Sequence, residues 1–237
     1  MSKTILITGA TSGIGESTSE YLSKQGYETV LVGRNEEKLN DLKQKLKGVK
    51  VIYKIDLTEI NQIETMFMSL KDNGIVFDGL VYCAGIGMDR TVRMCETIHL
   101  EKLMMIHYYS FVEVCRLFSQ KKYSNNGASI VTMSSISPVV SKKGSLPYSS
   151  AKAAMDNAVN VMAKEFIKRK IRVNAIQPAL VNTPLTQNAE GVLDIESIQP
   201  LGYIEPEYIS FLVEFLLSDK SKYMTGNHIP ITAGMEL

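Results

Sequence analysis

The chain has 237 residues, and 45% of them are hydrophobic, which is enough to build the core of one large α/β domain. Its 26 Lys and Arg residues nearly balance its 25 Asp and Glu residues, which excludes the net field expected of a protein that binds nucleic acid or an anionic membrane. Three cysteines without CxxC spacing, Cys83, Cys95 and Cys115, indicate buried thiols in a reducing compartment. We expect no metal site, because no second pair of ligands accompanies Cys95 and His99. The sequence opens without a signal-peptide pattern, so we expect a cytoplasmic protein.

Short β-branched segments alternate with longer segments of helical periodicity, which predicts crossover units on a parallel sheet with helices on both faces. The predicted strands are 3–8, 28–33, 50–56, 79–84, 128–134, 171–177 and 228–232. The predicted helices are 13–25, 36–47, 59–71, 97–121, 148–168 and 205–217. No linker composition divides the chain, so we expect one domain over 1–237. Ligands of such sheets bind beyond the carboxyl ends of the strands, so the loops there are the candidate site.

The first of these loops, in "ILITGATSGIG", has the composition of a phosphate cradle. Glycines allow a tight turn and a close approach of the backbone, and the following helix N-terminus favours an anion such as a pyrophosphate. The alternative is a purely structural turn, but three glycines within seven residues argue against it. The candidate cofactor-binding residues here are Gly9, Thr11, Ser12, Gly13, Ile14 and Gly15.

The end of the second strand indicates which dinucleotide is bound. An acid there holds a ribose 2′-hydroxyl, whereas an arginine accommodates a 2′-phosphate. The sequence is "VLVGRNEEKL", with Arg34 and no acid at the strand end, which favours NADP(H) and leaves NAD(H) possible if Arg34 only stacks on the adenine. Asp56, at the end of the third strand, is a candidate acceptor for the adenine amino group or an N-cap for the next helix.

Downstream, "YSSAK" places Tyr148 and Lys152 one helical turn apart, thirteen residues after Ser135. Together with "TGATSGIG" at 8–15, "RVNAIQP" at 172–178 and "SDKSKYMTG" at 218–226, this motif resembles the short-chain dehydrogenase/reductase family over the whole chain. The resemblance implies a single Rossmann-type, doubly wound domain with a seven-stranded parallel sheet. It also implies a homotetramer or homodimer.

The family roles imply a mechanism in which Tyr148 donates a proton to a carbonyl oxygen, Ser135 holds that oxygen, and Lys152 also binds the nicotinamide ribose. An ammonium about 4 Å away supplies roughly 4 kcal/mol at an effective dielectric near 20, which is enough to bring a phenol from a pKa near 10 to about 7. We therefore expect Lys152 to loosen the proton of Tyr148. The resemblance adds cofactor contacts at Leu57, Ala84, Gly85, Pro178, Val181 and Thr183.

The chain departs from the family at four places. His107 stands where the family has an Asn of the proton relay, and we expect it either to fill the slot passively or to add a group that titrates near neutral pH. "YCAG" at 82–85, Pro178-Ala179 and "TAG" at 232–234 replace the usual "NNAG", "PG" and "DGG". The departures leave open a second hypothesis, a nucleotide-binding regulator or scaffold of the same fold with weak or no turnover.

The expected substrate is a small carbonyl compound or its alcohol. "PLGYIEPEYIS", at 200–210 and overlapping the end of the substrate loop 184–204, resembles the same segment in 3-oxoacyl carrier-protein reductases, although sugar and alcohol reductases share it. Lys142 and Lys143, between Ser135 and Tyr148, are candidates for meeting an anionic substrate, or else form a solvated loop. The sequence therefore predicts an NADP(H)-dependent ketone reductase, its substrate being a 3-oxoacyl thioester, a sugar-type carbonyl or another ketone.

Overall fold

A parallel seven-stranded sheet organises the chain. A computed structural model describes residues 2–187 and 194–236, and all seven strands run parallel in the order β3-β2-β1-β4-β5-β6-β7. The strands are β1 (Thr4–Thr8), β2 (Glu28–Gly33), β3 (Val49–Lys54), β4 (Phe77–Tyr82), β5 (Ser124–Met133), β6 (Arg172–Pro178) and β7 (His228–Ile231). The order reverses between β1 and β4, which is the switch point at which a doubly wound sheet binds its ligand. The predicted fold class is confirmed.

Helices cover both faces of this sheet. They are α1 (Gly13–Lys24), α2 (Glu36–Lys45), α3 (Ile60–Asp72), α4 (Thr97–Met104), α5 (Ser110–Phe118), α6 (Ser137–Val140), α7 (Leu146–Glu165), α8 (Pro184–Gln187), α9 (Ile195–Ile198) and α10 (Pro206–Leu217). Helix α2 begins where the Asn35 side chain accepts a hydrogen bond from the Lys38 backbone N–H at 3.0 Å. Helix α10 begins at Pro206, whose fixed φ suits the first turn.

The core is divided by the sheet into two layers. The central strands are apolar on both sides, as expected for parallel strands covered by helices, and every residue of β1 and β6 is buried. One layer is rich in aromatic rings, including Phe67, Phe77 and Tyr123, and the other is mainly aliphatic, packed around Leu22 and Val213. Both faces are therefore closed, and the loops at the carboxyl edge remain for ligands.

The predicted helix 97–121 is present from Thr97 to Phe118, but it contains a π-helical turn that was not predicted. Helix α4 ends at Met104, a π-helical turn follows over Met105–Tyr109, and α5 begins at Ser110. Apolar periodicity tolerates one wide turn, so the sequence pattern did not reveal it. The short helices α6, α8 and α9 were also missed, because a single turn carries too little periodic signal. Part of the predicted substrate loop 184–204 lies outside the described residues.

The thiols and the surface add two further findings. Cys115 is buried as expected, whereas Cys83, which packs against the aliphatic layer just beyond β4, and Cys95, which lies in a loop, are only partly buried. Across residues 2–187 and 194–236, no helix is long and apolar enough to cross a membrane, and no group of three or more His, Cys, Asp or Glu side chains is arranged to hold a metal ion.

Candidate active site

The glycine-rich loop after β1 is packed so closely that only glycine fits at two positions. A Cβ on Gly15 would lie 2.2 Å from the carbonyl oxygen of Gly9, and a Cβ on Gly9 would lie 2.8 Å from the backbone nitrogen of Ala84. Gly9 also has a φ of 65°, a conformation that other residues adopt at a cost. The loop after β1 and the loop after β4 therefore meet with their backbones in contact.

The N-terminus of α1 is available to an anion. Ser12 is the N-cap residue, yet its side chain makes no capping hydrogen bond, so it leaves the first backbone N–H groups of α1, those of Gly13, Ile14 and Gly15, uncapped. Thr11 lies against Gly33 of β2, where a Cβ would come within 3.0 Å of its methyl group. A glycine-lined turn with an uncapped helix end fits the pyrophosphate of a dinucleotide.

Arg34 and Asp56 meet at the ends of β2 and β3. The guanidinium Nη1 lies 3.6 Å from Asp56 Oδ2, and the Arg34 side chain is 70% exposed. Asp56 Oδ1 accepts hydrogen bonds from the Thr58 backbone N–H at 3.0 Å and from its hydroxyl at 2.8 Å. Although desolvation opposes this shift, these bonds and Arg34 hold the pKa of Asp56 below its usual value. Asp56 therefore holds the turn at Thr58 and is not the N-cap of α3, a position that Glu59 occupies, while Arg34 remains open to a ligand.

The remaining predicted cofactor contacts line the same edge. Leu57 is buried beyond β3, and Ala84 and Gly85 follow β4, where the Ala84 N–H donates to the Thr8 hydroxyl at 3.3 Å. Beyond β6, Thr183 packs against Gly13, whose added Cβ would lie 3.1 Å from the Thr183 methyl group. Pro178 ends β6, and Val181 is buried between them.

A buried glutamine that the sequence analysis missed fastens this last segment. Gln199 is fully buried, and its Oε1 accepts a hydrogen bond from the Leu180 N–H at 3.0 Å. Its Nε2 donates to the carbonyl oxygens of Leu180 at 3.0 Å and Gly202 at 2.5 Å. Val181 and Ile204 form a parallel bridge beside it. Only the folded contacts reveal this clamp, because a lone Gln carries no sequence signal.

The three residues of the predicted catalytic group converge where β5 ends and α7 begins. Ser135 follows β5, and its Oγ accepts a hydrogen bond from the Ser137 N–H at 3.1 Å. Tyr148 and Lys152 lie on the first turns of α7, with Lys152 Nζ 5.6 Å from the centre of the Tyr148 ring. Lys152 is buried and donates to the carbonyl oxygen of Met133 at 2.6 Å. The spacing in "YSSAK" thus places both side chains on one face, as predicted.

The proton affinities correct one expectation. Removal of the phenol from water raises the pKa of Tyr148 to about 12, with Ser135 acting in the opposite direction and Asp89 adding to the rise. Burial lowers the pKa of Lys152 to about 8, although Asp156, one turn further along α7, raises it. The expectation that Lys152 brings the phenol near neutrality is wrong for the polypeptide by itself, because desolvation is the largest cause of the pKa shift of each group and moves the Tyr148 pKa upward.

His107 lies in the π-helical turn behind Tyr148. The two rings are perpendicular, with centroids 5.5 Å apart, and the imidazole is 1% exposed. Burial, and then the charge of Lys152, hold the pKa of His107 well below its usual value. The expectation of a group that titrates near neutral pH is therefore wrong, because a buried imidazole beside an ammonium resists a second positive charge.

The mouth of the site carries an ion pair. Lys142 Nζ lies 2.8 Å from Asp89 Oδ2, and the Arg90 N–H donates to the Gly144 carbonyl oxygen at 2.7 Å. These contacts join the loop after β4 to the loop between Ser135 and Tyr148. Lys142 is thus paired, while Lys143 is exposed beside it.

This arrangement defines a dinucleotide-dependent oxidoreductase, with a phosphate cradle at the switch point and a Ser, Tyr and Lys group beside it. The family model described as enoyl-(acyl carrier protein) reductase matches residues 9–236. The chain is 28% identical to carbonyl reductase family member 4 of Xenopus laevis, over 100% of this chain and 99% of the relative. It is 30% identical to the 3-oxoacyl-[acyl-carrier-protein] reductase FabG of Rickettsia prowazekii, over 98% and 96% of the two chains.

A solved short-chain type dehydrogenase/reductase from Mycobacterium ulcerans has the same fold. It superposes with a TM-score of 0.89 at 26% identity, covering 99% of this chain and 90% of that one. The protein belongs to the short-chain dehydrogenase/reductase family, as its motifs predicted, and is an oxidoreductase of that family.

Proposed function

We propose that the protein reduces a ketone to a secondary alcohol, or catalyses the reverse reaction, with NADP(H) as the preferred cofactor. The observation that carries this proposal is the convergence of Ser135, Tyr148 and Lys152 beside a glycine cradle at the switch point of the sheet. The cofactor, when bound, supplies or accepts the hydride. The chain's own residues then have to bind the carbonyl oxygen and manage one proton.

Each of the three side chains has one task in this proposal. The Ser135 hydroxyl holds the substrate oxygen, and the Tyr148 hydroxyl gives a proton to that oxygen as negative charge develops on it. The Lys152 ammonium donates one of its three protons to the Met133 carbonyl oxygen. In the proposal its other two protons serve the site and the cofactor ribose. A phenol with a pKa of about 12 in the polypeptide alone is kept protonated, which is the form needed for reduction.

A Tyr148→Phe variant tests the assignment of the proton donor. We expect kcat to fall at least about 100-fold, because general acid catalysis contributes 10²–10⁴-fold, while the Kd for NADPH stays near the wild-type value. NADPH fluorescence measures binding, and NADPH oxidation measures turnover. Tyr223→Phe, at a side chain that is 89% exposed, is the matched control. Unchanged turnover in Tyr148→Phe would refute the role.

Arg34 supports NADP(H) over NAD(H). Its guanidinium is exposed at the end of β2, where an arginine would accommodate a 2′-phosphate, and its partner Asp56 is already held by Thr58. Arg34→Leu should lower kcat/KM for NADPH about 10- to 100-fold, the value of a charged hydrogen bond, and leave kcat/KM for NADH nearly unchanged. An equal loss for both cofactors would place Arg34 on the adenine instead.

The substrate class is proposed from the relatives, whose names include a carbonyl reductase and a 3-oxoacyl-[acyl-carrier-protein] reductase. A panel of 3-oxoacyl thioesters, sugar-type ketones and simple ketones, with NADPH oxidation followed optically, identifies the preferred one. NADPH binding without turnover on any of them would favour the alternative of a nucleotide-binding regulator or scaffold.

A homodimer or homotetramer completes the proposal. The surface between the start of α3, the π-helical turn and α5 has an apolar groove of about 440 Å³, lined by Ile60, Met105, Tyr108, Tyr109, Val112 and Glu113. Exposed apolar surface of this kind suits contact with a second copy of the chain. Light scattering on the eluted protein measures the mass. A cytoplasmic location stays a prediction from the sequence.

A further inference from the structure

The π-helical turn Met105–Tyr109 is held from outside by side chains that depart from the family pattern or flank it. Tyr82, at the end of β4, donates its hydroxyl to the carbonyl oxygen of Ile106 at 2.7 Å. The hydroxyl of Ser110 lies 2.7 Å from the carbonyl oxygen of Met105 and 2.6 Å from that of Leu57. A π-turn widens the helix and displaces its backbone acceptors, so such external donors stabilise it.

His107 ties the same turn to the loop after β4. Its Nε2 lies 2.8 Å from the carbonyl oxygen of Ile86 and 3.4 Å from the Ile86 backbone nitrogen. The shorter contact makes Nε2–H the donor to the carbonyl, which leaves Nδ1 unprotonated in a neutral ring. Within the part of the chain that the structure describes, Nδ1 is buried without a hydrogen-bond partner.

The imidazole also fills the space between that loop and the catalytic tyrosine. A Cβ on Gly85 would lie 2.6 Å from His107 Cε1, so the imidazole in this position leaves room only for glycine at 85. On its far side the ring stands edge-on to Tyr148, 5.5 Å between centroids and at 88°. The Tyr148 ring therefore packs against an imidazole that is itself hydrogen-bonded to the Ile86 carbonyl oxygen.

We propose that His107 and Tyr82 are positioning residues, which act through the π-turn to set the Tyr148 phenol against the loop after β4. His107 does this as a neutral Nε2–H donor, so it takes no part in moving protons. The two departures from the family pattern therefore act together: Tyr82 holds the π-helical turn in place, and the turn places His107 against Tyr148. This inference rests on the proposed role of Tyr148 as proton donor.

Substitutions at His107 separate positioning from a general structural role. Gln places an amide N–H where Nε2–H is, while Leu has a similar bulk and no donor. His107→Leu should lower kcat about 10- to 100-fold, the effect of displacing a reacting group by about 1 Å, and His107→Gln should restore most of it. The pH profile of His107→Gln should match that of the wild type, because no titrating group is lost. A Leu variant as active as wild type, or a Gln variant as impaired as Leu, overturns the proposal.

Tyr82→Phe is a second test of the proposal, because it removes only the hydroxyl that binds the Ile106 carbonyl oxygen. We expect it to lower kcat about 3- to 10-fold, with a loss in Tyr82→Phe/His107→Leu smaller than the product of the single losses, because both contacts act on one turn. Independent losses would contradict a shared device. KM for the ketone should change little in either variant, since neither side chain is placed on the substrate.

A measurement without turnover distinguishes a failure of this inference from a failure of the proposed function. The protein has three histidines, so the ¹⁵N signals of His107 are identified by their loss in His107→Gln. They should show the neutral Nε2–H tautomer from pH 5 to pH 8. The other tautomer, or titration in this range, overturns the inference even in an active enzyme. If wild type binds NADPH but reduces no ketone, the proposed function fails, while these signals still decide how His107 is held.

Discussion

Lys152→Met should make the protein more resistant to unfolding at neutral pH, with a difference from wild type that depends on pH. Lys152 is 4% exposed, and burial moves its pKa from 10.5 to about 8. A shift of that size corresponds to about 3 kcal/mol of preference for the neutral form. Met has nearly the same length without the charge, so this cost is absent from the variant.

The pH range follows from the direction of the shift. Below pH 8 the lysine is protonated in both the folded and the unfolded state, so the folded protein bears the whole cost. Between pH 8 and 10.5 the folded lysine loses its proton while the unfolded one keeps it, and the free energy of unfolding of wild type rises relative to the variant. The stability difference between the two proteins should therefore change by about 3 kcal/mol over this range.

Urea unfolding at pH 7, 8, 9 and 10, at one protein concentration, measures the difference. Comparison with the variant at each pH removes the contributions of the other groups, including Tyr148, whose raised pKa destabilises the fold only above pH 10. The loss of the Met133 hydrogen bond is a constant offset. Lys164→Met, at an exposed lysine of α7, controls for the loss of an ammonium at the surface. Parallel stability curves for wild type and Lys152→Met would refute the reasoning.

Two further variants test the loops of the site. Gly15→Ala should abolish NADPH binding, because its Cβ would lie 2.2 Å from the Gly9 carbonyl oxygen. The control is Gly26→Ala, whose Cβ would meet nothing within 4 Å and which should lower the free energy of unfolding by only about 1 kcal/mol. Equal effects of the two variants, measured by fluorescence titration and thermal unfolding, would contradict the cradle. Gln199→Leu should destabilise the fold by at least about 2 kcal/mol and raise KM for the cofactor, because the backbone N–H and carbonyl of Leu180 lose their hydrogen bonds to Gln199. The control is Gln187→Leu, at an exposed side chain, which should change little. Equal melting temperatures for the two variants would refute the clamp.

Much of the site was predictable because its signals are local. Glycine spacing after a strand, an arginine at a strand end and a Tyr and Lys one turn apart each depend on a few neighbouring residues. Strand order adds only the rule that carboxyl ends share an edge. The structure accordingly brings Gly9 to Ala84, Gly13 to Thr183 and Lys152 to Tyr148.

The missing part depends on contacts between distant segments. In the sequence Tyr82 is only the first letter of "YCAG" in place of "NNAG", and only its bond to Ile106 across 24 residues shows what it holds. Gln199 and Leu180 are joined in the same way. Proton affinities were misjudged for a related reason. A Coulomb estimate for two groups omits their desolvation, and for Tyr148 and Lys152 desolvation is the largest cause of each shift.

The cost of burying Lys152 argues that this side chain is kept for a ligand or a reaction. Arg172 is also buried, but its guanidinium meets the carbonyl oxygens of Leu216 and Ser218 and the hydroxyl of Ser221, so it serves the fold by joining β6 to the segment after α10. Among residues 2–187 and 194–236, Lys152 makes one hydrogen bond, to Met133, and two of its protons have no protein acceptor. A purely structural role would be met better by an apolar side chain of that length. A destabilising ammonium with two unused donors, beside Tyr148 and beyond the end of β5, is explained by what binds at this edge of the sheet.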